Sequence, residues 1–201
     1  MVLLIVGRTG AGKDHLAKDL TENGFHGVKS YTTRPKRFPE EDTHIFITKE
    51  EAAAIPEEEK AAKTIIGEYE YFATFDQVKN ADYYVIDPKG ITTLLQSMND
   101  TEYRIVYVTA NKNTRKMRAV ERSDRTVEEE IKIFEQREKD EDEQFTDFEN
   151  SYHSIFGEYA FTLHNEYNED DSPELKALSA DMYNSILNDL IYILNKKNRK
   201  Q

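Results

Sequence analysis

An unbroken apolar run, Val2 to Val6, leads straight into Gly7-Arg8-Thr9-Gly10-Ala11-Gly12-Lys13-Asp14. A helical pattern follows from Lys13 to Asn23 until Gly24 ends it. No other stretch limits the fold as strongly. An apolar run without polar alternation suits a central parallel strand buried on both faces. The glycines let the backbone after it curl until successive N–H groups point at one place. The N-terminus of the helix adds its partial positive charge there. The spacing is that of G-x-x-x-x-G-K, whose lysine, here Lys13, can follow a moving phosphoryl group. Asp14 stands where Ser or Thr is usual. Its carboxylate can hold Mg²⁺ directly or through water, with repulsion from phosphates unless the metal lies between. Gly7, Arg8, Thr9, Gly10, Ala11, Gly12, Lys13, Asp14 and His15 are therefore expected to hold a nucleoside triphosphate. A glycine-rich turn with a chance lysine would need no ordered strand, loop and helix around it.

Downstream, strand patterns run over Val28 to Thr32, His44 to Thr48, Tyr69 to Ala73, Asp82 to Ile86, Arg104 to Val108 and Tyr159 to Leu163. Helical patterns follow several of them, notably Lys49 to Ile55, Thr126 to Phe148 as one helix or a pair, and Pro173 to Leu194. This alternation predicts an α/β fold with a doubly wound parallel sheet. Asn195 to Gln201 is expected to fray. The acidic stretch Glu130 to Glu143 reads as a solvated helix face.

A chain of 201 residues suits one core with small insertions. With no cysteine, disulfides and thiolate metal sites are impossible, which fits a reducing compartment such as the cytoplasm. The apolar start lacks a basic region and a cleavage site and is read as a strand, not a signal peptide. No run approaches the roughly 18 apolar residues of a spanning helix, so no membrane partner is expected. A net charge of −12 argues against a nucleic-acid surface. A small anionic partner remains compatible, because a local basic cluster can outweigh the global field.

Such a cluster occurs at Ser30-Tyr31-Thr32-Thr33-Arg34-Pro35-Lys36-Arg37. Arginine forks hold phosphate bidentately, and two of them can fix one dianion. A charge run is ordinarily a solvated loop. This one follows a strand pattern, where ligand loops of α/β sheets sit.

Ser-x-Thr-Thr-Arg-Pro-x-Arg after a phosphate loop resembles the guanylate kinase family. So do Gly67-Glu68-Tyr69-Glu70-Tyr71, Val85-Ile86-Asp87-Pro88-Lys89-Gly90, Arg118 with Arg122, and Tyr159 to Asn165. The resemblance implies a P-loop kinase core at 1–28, 82–117 and 149–201, with an acceptor-binding insertion at 29–81 and a helical lid at 118–148. It implies transfer of the γ-phosphoryl group of ATP, with Mg²⁺, to GMP or dGMP, by a monomer or homodimer. Arg34 and Arg37 would hold the acceptor phosphate with Tyr71. Ser30 and Thr74 would lie near the base, Asp87 beside metal and acceptor, and Asn165 at the adenine. Arg118, Arg122 and Arg137 would close over the transferring phosphate, although Arg137, about one helical turn farther from Arg122 than the family spacing, could equally pair with acidic neighbours along its helix.

Besides Asp14, several positions depart from the pattern, among them Val85, where the family's strand-end pair has its first aspartate. His44 stands where the family has a second phosphate-binding tyrosine. Counting back from Gly67 to the guanine-reading glutamate lands on Ala61, with Glu57, Glu58 and Glu59 out of register. Thr74 falls one place late. A ribose 1,5-bisphosphate phosphokinase or a deoxynucleoside monophosphate kinase of relaxed base choice therefore stays open. From another class, so does a catalytically inactive guanylate kinase-like binding module.

Overall fold

The computed structural model describes residues 1–36, 38–98, 100–166 and 172–198. Strand β1 (Val2–Val6) is buried at every position. It lies between β6 (Tyr83–Val85) and β7 (Tyr103–Thr109), and β8 (Ala160–His164) follows beyond β7. All of these pairings are parallel, which requires crossovers, and the chain supplies helices. Alternate residues of β1 serve opposite faces. Leu3 and Ile5 pack with Leu16 and Leu20 of α1 (Lys13–Glu22) and with Leu190 and Leu194 of α7 (Pro173–Asn198). Val2, Leu4 and Val6 meet Ile91 and Leu94 of α4 (Pro88–Ser97) and Phe145, Phe148 and Tyr152 of α6 (Val127–Phe156). Each such fully buried side chain stabilises the fold by roughly 1.5–3 kcal/mol.

A second sheet has the order β3-β2-β5-β4, from β2 (Tyr31–Thr32), β3 (Ile45–Phe46), β4 (Lys60–Ile66) and β5 (Tyr69–Thr74). Strand β4 lies outside every strand pattern read from the sequence. Its two alanines and two lysines have little strand preference of their own. Antiparallel pairing with β5 decides it, and the connection turns at Gly67, whose φ of 62° suits glycine. The expected strand Val28 to Thr32 is divided: Gly27 bridges to Tyr83 in the first sheet, and only Tyr31–Thr32 joins the second.

The helix read as ending at Phe148 is a single one of 30 residues reaching Phe156. A Thr126–Glu129 capping box opens it, and Gly157 ends it. The last helix runs through Asn198, so Asn195 to Asn198 are helical and not frayed; 199–201 lie outside the described residues. Earlier in the chain stand α5 (Lys112–Glu121), after β7, and two short helices, α2 (Lys49–Ala54) and α3 (Phe75–Lys79), flanking the second sheet. Among the described residues no helix is long and apolar enough to cross a membrane.

Candidate active site

The loop between β1 and α1 curls tightly. Gly12, with φ of 104°, has no room for a side chain: a Cβ there would stand 2.1 Å from the Asn165 amide nitrogen. Lys13 folds back over the curl and donates to the carbonyls of Gly7 at 2.7 Å and Arg8 at 3.2 Å. Burial pushes its pKa below the usual lysine value, against the opposing pull of Asp14 and Glu141. Asp14 is exposed in the first turn of α1.

Cavities flank the curl. One of about 550 Å³ is bordered by Gly12, His15, Arg118 and Asn165. Asn165 does not face it freely, because its amide donates to Ala11 O at 2.9 Å. Arg118 in turn donates to Asn165 O at 2.9 Å, and burial lowers the pKa of its guanidinium. The second cavity, about 450 Å³, is lined by Gly7, Thr9 and Lys13 on one side and by Tyr71, Asp87 and Arg137 on others. The phosphate loop and the second sheet thus share one cleft. Arg122 is the C-cap of α5 and lines neither space, though its charge bears on Lys13.

The acidic stretch of α6 is not simply a solvated face. Glu138, Asp142, Phe145 and Glu149 fall on one side of the helix and turn toward the loop. Arg8 donates to Asp142 at 2.6 Å and to Glu149 at 3.1 Å, with its guanidinium 5.1 Å from the Phe145 ring centre. Burial opposes the Arg8 charge, but these carboxylates hold its pKa above the usual value. Glu141 accepts from Thr9 N at 3.0 Å and also from the Thr9 hydroxyl. Arg115 donates to Thr9 O at 3.2 Å and pairs bidentately with Glu138, both side chains being buried. The sequence reading passed over Arg115, Glu138 and Glu141. No local signal marks them, because the partners are 23 and 132 positions apart.

At the second sheet, Arg34 pairs with buried Glu41 at 2.7 Å and lies 5.3 Å from the Phe46 ring centre. Burial opposes the Arg34 charge as well, but hydrogen bonding to Glu41 and Tyr71 raises its pKa. Arg37 lies outside the described residues. Ser30 Oγ is 3.0 Å from His44 Nδ1, and both border a pocket of about 80 Å³ with Thr64, Tyr71, Tyr84 and Asp87. Asp87 caps α4, accepting from Gly90 N at 2.9 Å and from the Thr64 hydroxyl at 3.2 Å. Thr74, expected near the base, is instead the N-cap of α3: its hydroxyl accepts from Gln77 N at 3.3 Å and it does not line the pocket. Ala61 is buried and carries no polar group, while Glu57 is held by Lys60 and Lys63. The position at which the resemblance expects a glutamate is therefore occupied by a buried alanine.

No family model and no curated protein matches the chain. Among solved structures it is similar to a guanylate kinase from Anaplasma phagocytophilum. The TM-score is 0.55 and the identity 17%, over 94% of this chain and 85% of that one. The likeness is one of fold. It is that of a mixed α/β chain built on a parallel four-stranded sheet. An uncharacterised protein from Eubacterium ventriosum aligns over 92% of this chain and 98% of its own, at 12% identity and a TM-score of 0.39, which carries no argument.

Proposed function

We propose that this chain is an ATP-dependent phosphotransferase that moves the γ-phosphoryl group onto the phosphate of a nucleoside monophosphate. The supporting observation is the shared cleft of about 450 Å³, lined by Lys13 and Thr9 of the loop and by Tyr71 and Asp87 across from them. Two polyanions brought together need cations fixed beforehand, since no reorganisation is then required during transfer. Lys13 and Arg137 line that cleft. Arg34, whose outer fork is held by Glu41, would engage the acceptor phosphate by exchanging one anion for another. Arg37 is its partner on the family resemblance. In-line transfer needs no covalent intermediate.

Among the described residues no group of three or more His, Cys, Asp or Glu side chains could cage a metal. Mg²⁺ in such sites takes one or two carboxylates and completes its shell with water and phosphate, which Asp14 fits; Asp87 would reach it through water. When bound, the ion neutralises charge on the phosphate oxygens.

The resemblance puts GMP or dGMP first as acceptor. The apolar Ala61 and the engaged Glu57 favour a second reading, relaxed base choice or a sugar phosphate such as ribose 1,5-bisphosphate. A coupled ADP-release assay across nucleoside and deoxynucleoside monophosphates, with ribose 1,5-bisphosphate included, tests both. Acceptor-stimulated turnover on at least one compound is expected. Nucleotide binding without stimulated turnover would point to an inactive binding module.

A further inference from the structure

An internal anion sits on the phosphate loop. Thr9 N lies 3.0 and 3.3 Å from the two carboxylate oxygens of Glu141, and the Thr9 hydroxyl donates to one of them. The same carboxylate acts on the charge of Lys13. The position has a direction. Gly12, His15 and Asn165 border one cavity, whereas Thr9, Lys13 and Glu141 border the cleft shared with Tyr71 and Asp87. If the loop holds a nucleotide as proposed above, the nucleoside end lies at Gly12 and the transferring end at Thr9.

We propose that Glu141 discriminates triphosphate from diphosphate: its carboxylate stands on Thr9 in place of a terminal phosphoryl group, leaves when a triphosphate takes those donors, and stays when a diphosphate binds. Two anions cannot share the same N–H and hydroxyl donors without repulsion in a partly buried cleft. Bonds to a charged acceptor are the strong ones, so exchange of one anion for another nearly balances, and the lost carboxylate contacts are charged against the triphosphate alone. The neighbouring turns of α6 stay fastened by Arg115–Glu138 and by Arg8 to Asp142 and Glu149. The exchange is therefore a side-chain movement and not a melting of the helix.

Calorimetric titration of the full chain with Mg²⁺ and either ADP or a non-hydrolysable ATP analogue tests this. Glu141→Gln keeps shape and loses charge; Glu141→Ala removes the contact; Glu143→Gln makes the same charge change at an exposed site on the same helix. Expected for both Glu141 variants is a gain of about tenfold in triphosphate affinity with ADP affinity nearly unchanged, and no effect from Glu143→Gln. Equal gains for both nucleotides, or an unchanged or weaker triphosphate affinity, would overturn the inference and leave the phosphate-loop reading standing. Failure of the unaltered protein to bind either nucleotide would overturn both.

Discussion

Lys13 and Arg34 show how differently two cations are placed. Lys13 rests on its own loop carbonyls, and burial there disfavours its charge; under the proposed function a phosphate would replace those carbonyls and favour the charged form. Lys13→Ala is expected to abolish turnover with little change in stability, checked by the coupled assay beside a thermal melt; retained turnover would contradict its role. Arg34 is tied into structure by a bidentate pair with buried Glu41. Removing one partner of such a pair leaves an uncompensated charge and costs about 3–5 kcal/mol. Arg34→Met should therefore lower both stability and acceptor affinity. Adding Glu41→Leu should restore much of the stability and none of the affinity, as read by urea unfolding and the acceptor KM.

At the scale of elements, α6 governs the site. Its inner surface grips Arg8 directly and Thr9 both directly and through Arg115, so the loop's shape depends on a helix that begins more than a hundred residues later. Breaking the Arg115–Glu138 pair with Arg115→Met is expected to cost about 3–5 kcal/mol in urea unfolding. It should also weaken nucleotide binding, since the Thr9 carbonyl loses a donor. Replacing both by Met and Leu should recover stability and leave the binding defect. If the double variant binds nucleotide normally, the pair serves packing alone.

Across the whole molecule, α7 is fastened to the edge of the first sheet. Lys197 Nζ donates to Asp82 at 3.1 Å and to Ala81 O at 3.0 Å, while His26 N donates to Asp82 at 3.0 Å. Burial pushes the Asp82 pKa up, but the donors from His26 and Lys197 prevail and hold it below the usual carboxylate value. A depressed folded-state pKa contributes stability above the unfolded value of about 3.9, and that contribution is lost as pH falls through the folded value. Urea unfolding followed downward from pH 5 should show this loss below about pH 4. Asp82→Asn should be less stable at pH 7 and lose less on acidification.

Much of this architecture was legible beforehand. The strands at β1, β6, β7 and β8 and the tight loop between β1 and α1 were readable because their signals are local: an apolar run, a glycine spacing and a helix start within a few residues. Strand β4 was not, because Lys60 to Ile66 becomes a strand only through its partner β5. The helix end at Phe156 was misread because the cap at Gly157 decided it, and the role of the Thr74 hydroxyl as the N-cap of α3 was not seen.

The sequence by itself determined where the chain curls between β1 and α1 and which cations lie near in the chain, since those depend on neighbouring residues. Only the tertiary structure decided that the carboxylates of α6 turn inward onto Arg8 and Thr9, that Arg34 meets Glu41, and that Ala61 is buried without a polar group. Arg34 and Glu41 share one loop, whereas the α6 contacts join side chains set on different elements; the energies of all of them depend on burial and distance, which no spacing along the chain encodes.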